Sequence, residues 1–289
     1  MAKGVYTIFV DSDDLLSSAE SLQMMYDAIT LEQVDILQFP IEFLLPDGEK
    51  ILPESGFHRV YAERLEKSLD IVSACIDGKY GWNLWNKIYR TSVCQRACKS
   101  IKDVYVITAE DCYAYFLIAY HAETFKGKNT VPLYTYRQGS GVTTKKALQL
   151  NRFEMFCREN LIVGWIRDFL STQEMADGEC SAYKEILKKL SKRFLDHCLW
   201  RYDQLSQEER KAAQGEIFGY FPPSDVFEIF HEKLVQLNER FKIIKDFNIG
   251  RYLRTKMLSK ISLGKTRQRL KEQYQHQKYC YRLIKNGKG

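Results

Sequence analysis

Three carboxylates near the start of the sequence are the residues best placed to do chemistry. Asp11, Asp13 and Asp14 directly follow residues 6–10, whose mostly β-branched and aromatic side chains predict a strand buried on both faces. Aspartate disfavours strands, so we expect the acids at the carboxyl end, where open α/β sheets bind ligands. Asp11 and Asp13 would then share one side, an arrangement that a divalent cation carrying a phosphate group stabilises. The alternative is a polar turn in which Asp14 or Ser17 caps the next helix.

A second pair of acids, Glu110 and Asp111, follows a short predicted strand at 104–107. Thr108 fits the N-cap position, which places both carboxylates in the first turn of a helix, where the helix dipole favours anions. Taken alone, this pair is explained more simply by a structural role at a helix start than by catalysis.

Between the two groups of acids, the segment 81–90 contains two tryptophans, two asparagines and two cations. Aromatic rings pack against the C–H face of a pyranose, while Asn and Lys donate hydrogen bonds to hydroxyls and phosphates. The candidate sugar-binding residues are Trp82, Trp85, Asn86 and Lys87. The alternative is that the two tryptophans, three residues apart, form one helix face of the core.

The predicted elements alternate between strands and helices in the first half of the chain. We expect helices at about 18–30 and 61–77, a strand at 34–43 and a hairpin arm at 49–52, which together indicate an α/β architecture. Beyond about residue 146 the pattern is helical throughout. We therefore predict a mixed α/β domain over residues 1–145 and an all-α region over 146–289.

Composition limits the classes of protein to which this chain can belong. It has 289 residues, of which 13% are aromatic, and this content disfavours disorder. The sequence has no apolar run of 18 residues and no apolar segment near its start that is typical of a signal peptide. Its eight cysteines stand at scattered spacings, which favours reduced thiols in the cytoplasm over disulfides or zinc.

The positive charge of the chain is concentrated in its tail. From residue 251 onward there are 12 Lys and Arg against one acid, Glu272, so the preceding residues carry a net negative charge. The cations alternate with Tyr, Leu, Ile and Met, a pattern typical of an amphipathic helix lying on an anionic membrane. A solvated helix face and nucleic-acid binding are the alternatives. We expect peripheral contact with the inner face of the cell membrane and no nucleic-acid partner.

Taken in order, these motifs resemble those of bacterial family-2 glycosyltransferases of the capsule and surface-polysaccharide type, which have the GT-A fold. The matching motifs are Asp-Ser-Asp-Asp at 11–14, Trp-Asn-Lys-Ile-Tyr-Arg at 85–90, Glu-Asp at 110–111, and Tyr-Arg with Gly-Ser-Gly-Val-Thr at 136–143. The resemblance covers roughly residues 1–145. It implies the C-terminal part of a GT-A mixed-sheet domain, and inverting transfer from a nucleotide-sugar donor to a hydroxyl of a saccharide or lipid-linked acceptor.

The resemblance also implies roles for individual residues. Asp11 and Asp13 would hold Mn²⁺ or Mg²⁺, which offsets charge on the departing diphosphate. Asp111, paired with Glu110, would be the general base that deprotonates the acceptor hydroxyl. Other implied contacts are those of Arg137 with the diphosphate and of Ser140 or Thr143 with the acceptor, although glycine-loop chemistry explains these three residues about as well.

Two alternatives remain open at this point. Haloacid-dehalogenase-like phosphatases also begin with a strand and Asp-x-Asp, but they have a small residue and Thr after the second Asp, where this chain has Asp14 and Leu15. The GT-A fold, in turn, begins with βαβ units that cradle the nucleotide, whereas here the Asp-x-Asp motif arrives at residue 11. We therefore also expect either that the N-terminal nucleotide-binding part is missing, or that the chain is an inactive remnant or a partner subunit.

Overall fold

The computed structural model describes residues 2–53, 58–104, 108–139, 149–232, 248–261 and 264–286. The chain divides into two compact units, Met1–Pro222 and Pro223–Gly289. The predicted change from mixed α/β to all-helical structure is found, so the expected fold class is confirmed. The first compact unit nevertheless continues past residue 145, because the helices that follow pack against those of the α/β part.

The first unit contains nine strands and eight of the helices that the structure describes. The strands are β1 (Tyr6–Ile8), β2 (Leu15–Leu16), β3 (Ile36–Gln38), β4 (Ile41–Leu44), β5 (Lys50–Ile51), β6 (Arg64–Leu65), β7 (Lys87–Arg90), β8 (Phe125–Gly127) and β9 (Tyr134–Arg137). The helices are α1 (Ser21–Glu32), α2 (Ser68–Ile76), α3 (Thr91–Cys98), α4 (Glu110–His121), α5 (Leu150–Arg158), α6 (Leu161–Ser171), α7 (Asp177–Tyr202) and α8 (Gln207–Tyr220).

The strands form two mixed sheets. The first has the order β1-β7-β3-β8-β6 and the second has the order β2-β9-β4-β5. In the first sheet β7 runs antiparallel to both β1 and β3, while β3 and β8 are parallel. The expectation that the first strand is buried on both faces was wrong. Since β1 lies at the edge of this sheet, its three residues are only partly buried.

Several predicted elements are present with different limits. The strand expected at 34–43 is interrupted at Phe39 and Pro40, so β3 joins the first sheet and β4 the second. Proline has no N–H for a ladder, which favours a change of sheet at this point. The helix expected at 61–77 begins only at Ser68, because β6 occupies part of that range. Of the strand expected at 104–107, only Val104 is among the described residues, and it has no regular structure.

A core of apolar side chains joins α1 to both sheets. It is built from residues of α1, β3, β4, β7 and β9 and the segments beside them, among them Met25, Ile29, Leu37, Phe39, Ile41, Trp85, Ile88 and Tyr134. Among the later helices, the thiols of Cys157 in α5 and Cys198 in α7 lie 3.2 Å apart in a buried position. In the part of the chain that the structure describes, no helix is long and apolar enough to span a membrane.

The second unit contains the basic tail, which is helical as expected. Helices α9 (Ile249–Ile261) and α10 (Gly264–Asn286) pack against each other. The ring of Tyr252 on α9 stacks with those of Tyr274 and Tyr281 on α10, each with centroids 5.6 Å apart. These stacked rings determine which sides of α9 and α10 face each other.

Candidate active site

The fold brings the acids after β1 close to the acids at the start of α4. The carboxylate of Asp11 lies near enough to Glu110 for its charge to act there, and the pKa of Glu110 is raised by burial and by Asp11. The pKa of Asp11 is likewise raised, first by burial and then by the charges of Asp14 and Asp13. Acids far apart in the sequence therefore form one cluster of negative charge.

Asp14 plays a different part from its neighbours. It is buried, its Oδ2 accepts a hydrogen bond of 2.7 Å from the Tyr134 hydroxyl, and its Oδ1 accepts one of 2.8 Å from the Arg137 backbone N–H. Tyr134 Oη also accepts a bond from the Asp11 backbone N–H at 3.1 Å. Asp14 thus ties the acidic turn to β9, and Asp11 and Asp13 are exposed beside it.

Asp111 has the most perturbed carboxyl group of the cluster. Burial raises its pKa to about 6, the charges of Glu110 and Asp11 act in the same direction, and a hydrogen bond from the Leu84 backbone N–H opposes them. The helix that carries it begins at Glu110, with Ala109 at the N-cap in a left-handed conformation (φ 61°). The predicted cap by Thr108 was wrong, because its hydroxyl donates to the Met155 carbonyl instead.

The Leu84 amide is held in place by the buried ammonium group of Lys87. Lys87 is 0% exposed, and its Nζ donates to Gly81 O (2.8 Å), Asn83 O (2.6 Å) and Asn86 Oδ1 (2.7 Å). Burial lowers the pKa of Lys87 to about 7. The three acceptors require three N–H donors, which only the ammonium form supplies, so the geometry favours the charged state.

Of the four residues expected to bind sugar, three lie in the protein interior. Trp85 is 5% exposed and stacks between the rings of Tyr134 and Tyr136, at centroid distances of 5.0 and 5.2 Å. Asn86 and Lys87 are each 0% exposed, and Asn86 Oδ1 accepts a hydrogen bond from Lys87 Nζ. Trp82 is partly buried and packs against α7, where the Arg193 guanidinium lies 4.2 Å from its ring. The side chains of this segment thus contact other parts of the protein.

The remaining predicted contacts divide between described and undescribed residues. Arg137 is exposed at the end of β9, directly beside the acidic turn through its backbone bond to Asp14. Ser140 and Thr143 lie outside the described residues. Arg137 is therefore the only one of these three whose position relative to the acids is known.

The helical region contributes a carboxylate that was not predicted from the sequence. Glu159, between α5 and α6, is 3% exposed and lies near enough to Glu110 to raise the pKa of that group. Its Oε2 is 3.3 Å from Nδ1 of His197 on α7. The His197 ring stacks with that of Trp200, which is 57% exposed. The i, i+3 spacing places His197 and Trp200 on one helix face, but Glu159 meets His197 only through tertiary packing, which the local sequence does not show.

Asp11 and Asp13 fit a divalent metal ion by their chemistry. No group of three or more metal-binding side chains was found within the described ranges. Mg²⁺ commonly uses only one or two protein carboxylates and completes its shell with substrate phosphates and water. A cation here would also offset the like charges that raise the pKa of Asp11. The residues present therefore suit a metal that arrives with a phosphate-bearing substrate.

Comparison with known proteins gives a distant structural likeness. No protein-family model matches the chain, and no curated protein matches it. Among solved structures it is similar to S. aureus TarS 1-349 in complex with UDP-GlcNAc, with a TM-score of 0.49 and 18% identity, over 78% of this chain and 60% of that one. TarS 1-349 alone gives 0.48 at 16% identity, and its UDP complex gives 0.46 at 18%, each over 78% of this chain and 58% of that one. The chain thus spans about 60% of the length of these structures.

Proposed function

We propose that this chain is an inverting glycosyltransferase of the GT-A family-2 type. It moves a sugar from a nucleotide-diphosphate donor to a hydroxyl of a saccharide or lipid-linked acceptor, in the synthesis of bacterial surface polysaccharide or glycolipid. The observation that carries the proposal is the meeting of Asp11 with Glu110 and Asp111, which are about a hundred residues apart in the sequence. The order of motifs around these acids supports the same reaction.

Asp111 is the proposed general base. Its pKa of about 6 leaves it ionised at neutral pH and makes it a stronger base than an ordinary aspartate. The Leu84 N–H orients the carboxylate, and Glu110 keeps negative charge beside it. In this role Asp111 accepts the proton of the acceptor hydroxyl as that oxygen attacks the anomeric carbon.

Asp11 and Asp13 are the proposed ligands of Mn²⁺ or Mg²⁺, and Asp14 fixes their turn through Tyr134. The bound ion would supply charge stabilisation for the diphosphate leaving group. Arg137, at the end of β9, is the proposed side-chain partner of the diphosphate. We assign Trp85, Asn86 and Lys87 to support of the site, because all three are buried.

The first test is donor binding. UDP-GlcNAc is the first probe of a panel of nucleotide-sugars, added with and without Mn²⁺ and followed by calorimetry. If a donor of the panel binds this chain, its binding should require Mn²⁺, be lost in Asp13→Ala and be retained in Asp103→Ala, since Asp103 is also exposed but lies outside the cluster. Metal-dependent affinity that is unchanged in Asp13→Ala would show that the metal assignment is wrong.

The second test separates the base from the donor site. Asp111→Asn is expected to lower turnover by a factor of about 10² to 10⁴ while donor affinity stays nearly unchanged, because a general base acts on the acceptor. The measurement is release of the nucleoside diphosphate during transfer, beside calorimetric donor binding. An equal loss of donor affinity would indicate a structural role at the start of α4.

A second candidate function, that of a non-catalytic partner subunit, is favoured by the position of β1. Within the described residues, β1 pairs with β7 on one side only, and an edge strand can accept a strand from another chain. A chain that binds no nucleotide-sugar of the panel with Mn²⁺ but forms a stable complex with a second protein through β1 would support this candidate over the first.

The basic tail is the proposed contact with the membrane. Helices α9 and α10 lie within the stretch of 12 cations and one acid, and each cation close to an anionic membrane contributes about 1 kcal/mol. We expect the full chain to sediment with anionic vesicles and less so as salt rises. Equal binding to neutral vesicles, or no binding to anionic ones, would contradict an electrostatic contact of the tail with the membrane.

A further inference from the structure

The two helices of the basic tail form an open cleft of about 740 Å³. Residues of α9 and α10 line it, and they are almost all polar or charged: Arg251, Arg254, Thr255, Leu270, Glu272, Gln273, His276 and Gln277. An amphipathic helix that only lies on a membrane needs no such cleft between charged side chains. With two arginines against one carboxylate, the lining carries a net positive charge, which favours an anion.

The two arginines of the cleft lie on one side of α9. Arg251 and Arg254 stand three residues apart, and such residues are neighbours on a helix surface. Among the described residues, neither guanidinium forms an ion pair with a carboxylate. The acid in the lining, Glu272, accepts a hydrogen bond from Gln268 at 2.9 Å.

Contacts between the helices hold this end of α9 rigidly. The backbone N–H of Asn248 donates to Oε1 of the buried Gln277 at 2.8 Å, and Asn248 Oδ1 accepts from the Arg251 N–H at 2.8 Å. Tyr252 stacks on two rings of α10. The backbone that carries both arginines is thereby fixed before any ligand arrives, which lowers the entropic cost of binding.

We propose that this cleft is a binding site for a terminal phosphate group, that is, a phosphomonoester or diphosphate. Two guanidinium groups on one face of α9 offer several N–H donors in planar forks, and such forks match the oxygens of a phosphate better than point charges do. His276 and Gln273 add polar groups from α10. Such a group is present on phosphatidic acid and on soluble phosphates. The site stands independently of the transfer reaction proposed above.

The test uses the full chain in EDTA, so that a metal-dependent site at Asp11 and Asp13 does not contribute. Inorganic pyrophosphate is titrated by calorimetry. In parallel, vesicles with phosphatidic acid are compared with phosphatidylserine vesicles of the same surface charge. We expect pyrophosphate binding, preference for phosphatidic acid, or both. Binding only to vesicles identifies a lipid headgroup as the ligand, and binding only to pyrophosphate identifies a soluble phosphate.

Two variants that each lose one positive charge distinguish binding in the cleft from general electrostatic attraction to the basic tail. Arg254→Gln is expected to weaken binding about tenfold, a loss of about 1.4 kcal/mol, while Arg269→Gln changes it by less than about twofold. Arg269 is exposed on α10 and does not line the cleft. Circular dichroism checks that both variants keep their helices. Equal losses in the two variants, or no binding of either probe by the unmodified chain, would overturn the proposal.

Discussion

At the scale of single residues, the acids of the site are held where their charge is unfavourable. The pKa of Asp111 is about 6, mainly because burial disfavours its ionised form. An ordinary aspartate, as in the unfolded chain, has a pKa of about 3.9. The folded protein thus binds this proton more tightly than the unfolded chain does, and ionisation of Asp111 costs stability as the pH rises from about 4 to about 6.

Replacement of this acid should therefore stabilise the protein as it removes activity. At pH 8 Asp111 is fully ionised, and its ionisation lowers the free energy of unfolding by about 3 kcal/mol. We therefore expect Asp111→Asn to raise the free energy of unfolding by about 1–3 kcal/mol at this pH. At pH 4 the difference should nearly vanish. Urea unfolding in EDTA at both pH values measures this, with the exposed Asp103→Asn as control. A pH-independent difference would contradict the burial argument.

Lys87 shows the opposite case, a charge that the interior needs. Lys87→Met leaves the carbonyl oxygens of Gly81 and Asn83 buried without this donor, so we expect it to lower the free energy of unfolding by about 3–5 kcal/mol. Lys102→Met is the control, because its ion pair with Asp168 is exposed and worth about 1 kcal/mol or less. Similar urea midpoints for the two variants would show that the Lys87 contacts contribute little.

Residue types suggested which side chains could do chemistry, but they did not predict how deeply each side chain is buried. The acids were singled out by the order of the motifs around them, because a helix start alone explains Glu110 and Asp111 as structural residues. The side chains of Trp85, Asn86 and Lys87 suit a sugar-binding site and a buried polar network equally well. The two roles are distinguished by where the carbonyl oxygens of Gly81 and Asn83 lie relative to Lys87. That position depends on the folded structure and cannot be read from the local sequence.

At the scale of elements, β8 is packed too closely for any side chain at one position. A Cβ on Gly127 would lie 2.3 Å from the carbonyl oxygen of Tyr61, the same oxygen that accepts the Gly127 N–H at 2.9 Å. Backbone atoms cannot yield as a flexible side chain does. The segment before β6 therefore depends on a glycine in β8 for its position.

The two sites Gly127 and Gly164 provide a matched pair of Gly→Ala variants. Gly127→Ala should lower the free energy of unfolding by about 3 kcal/mol, because β8 and the Tyr61 backbone must move apart. Gly164→Ala, inside α6 with open space around the new methyl, should raise it by about 1 kcal/mol. Thermal unfolding of both variants measures the difference. Equal melting temperatures would show that the close contact at Gly127 is easily relieved.

Periodicity predicted the existence of the elements but not their partners. The alternation of strands and helices indicated an α/β class, which the structure has. The edge position of β1 depends on which segments pair with it, and hydrophobicity over residues 6–10 does not encode that. The division of residues 34–43 between two sheets follows from Pro40, a signal that was present in the sequence.

At the scale of the whole molecule, the compact unit Met1–Pro222 contains both sheets and the entire acid cluster. We expect a chain ending at residue 222 to fold, with a near-ultraviolet circular dichroism spectrum and a single thermal transition close to those of the first unit in the full chain. A chain ending at residue 145 is the control. It lacks Glu159 and the helices packed on α2 and α4, so it should lose the cooperative transition. A cooperative 145-residue chain would show that the later helices are dispensable.

The pairing of β3 also determines when the protein can fold as it leaves the ribosome. The backbone N–H of Asp35, just before β3, bonds to the side chain of Thr124, 89 residues later in the sequence. Both neighbours of β3 in the sheet, β7 and β8, are made long after it. Closing such long loops is slow, and until then both edges of an apolar strand are open to wrong partners. The growing chain is thus most in need of chaperone protection between synthesis of β3 and synthesis of β8.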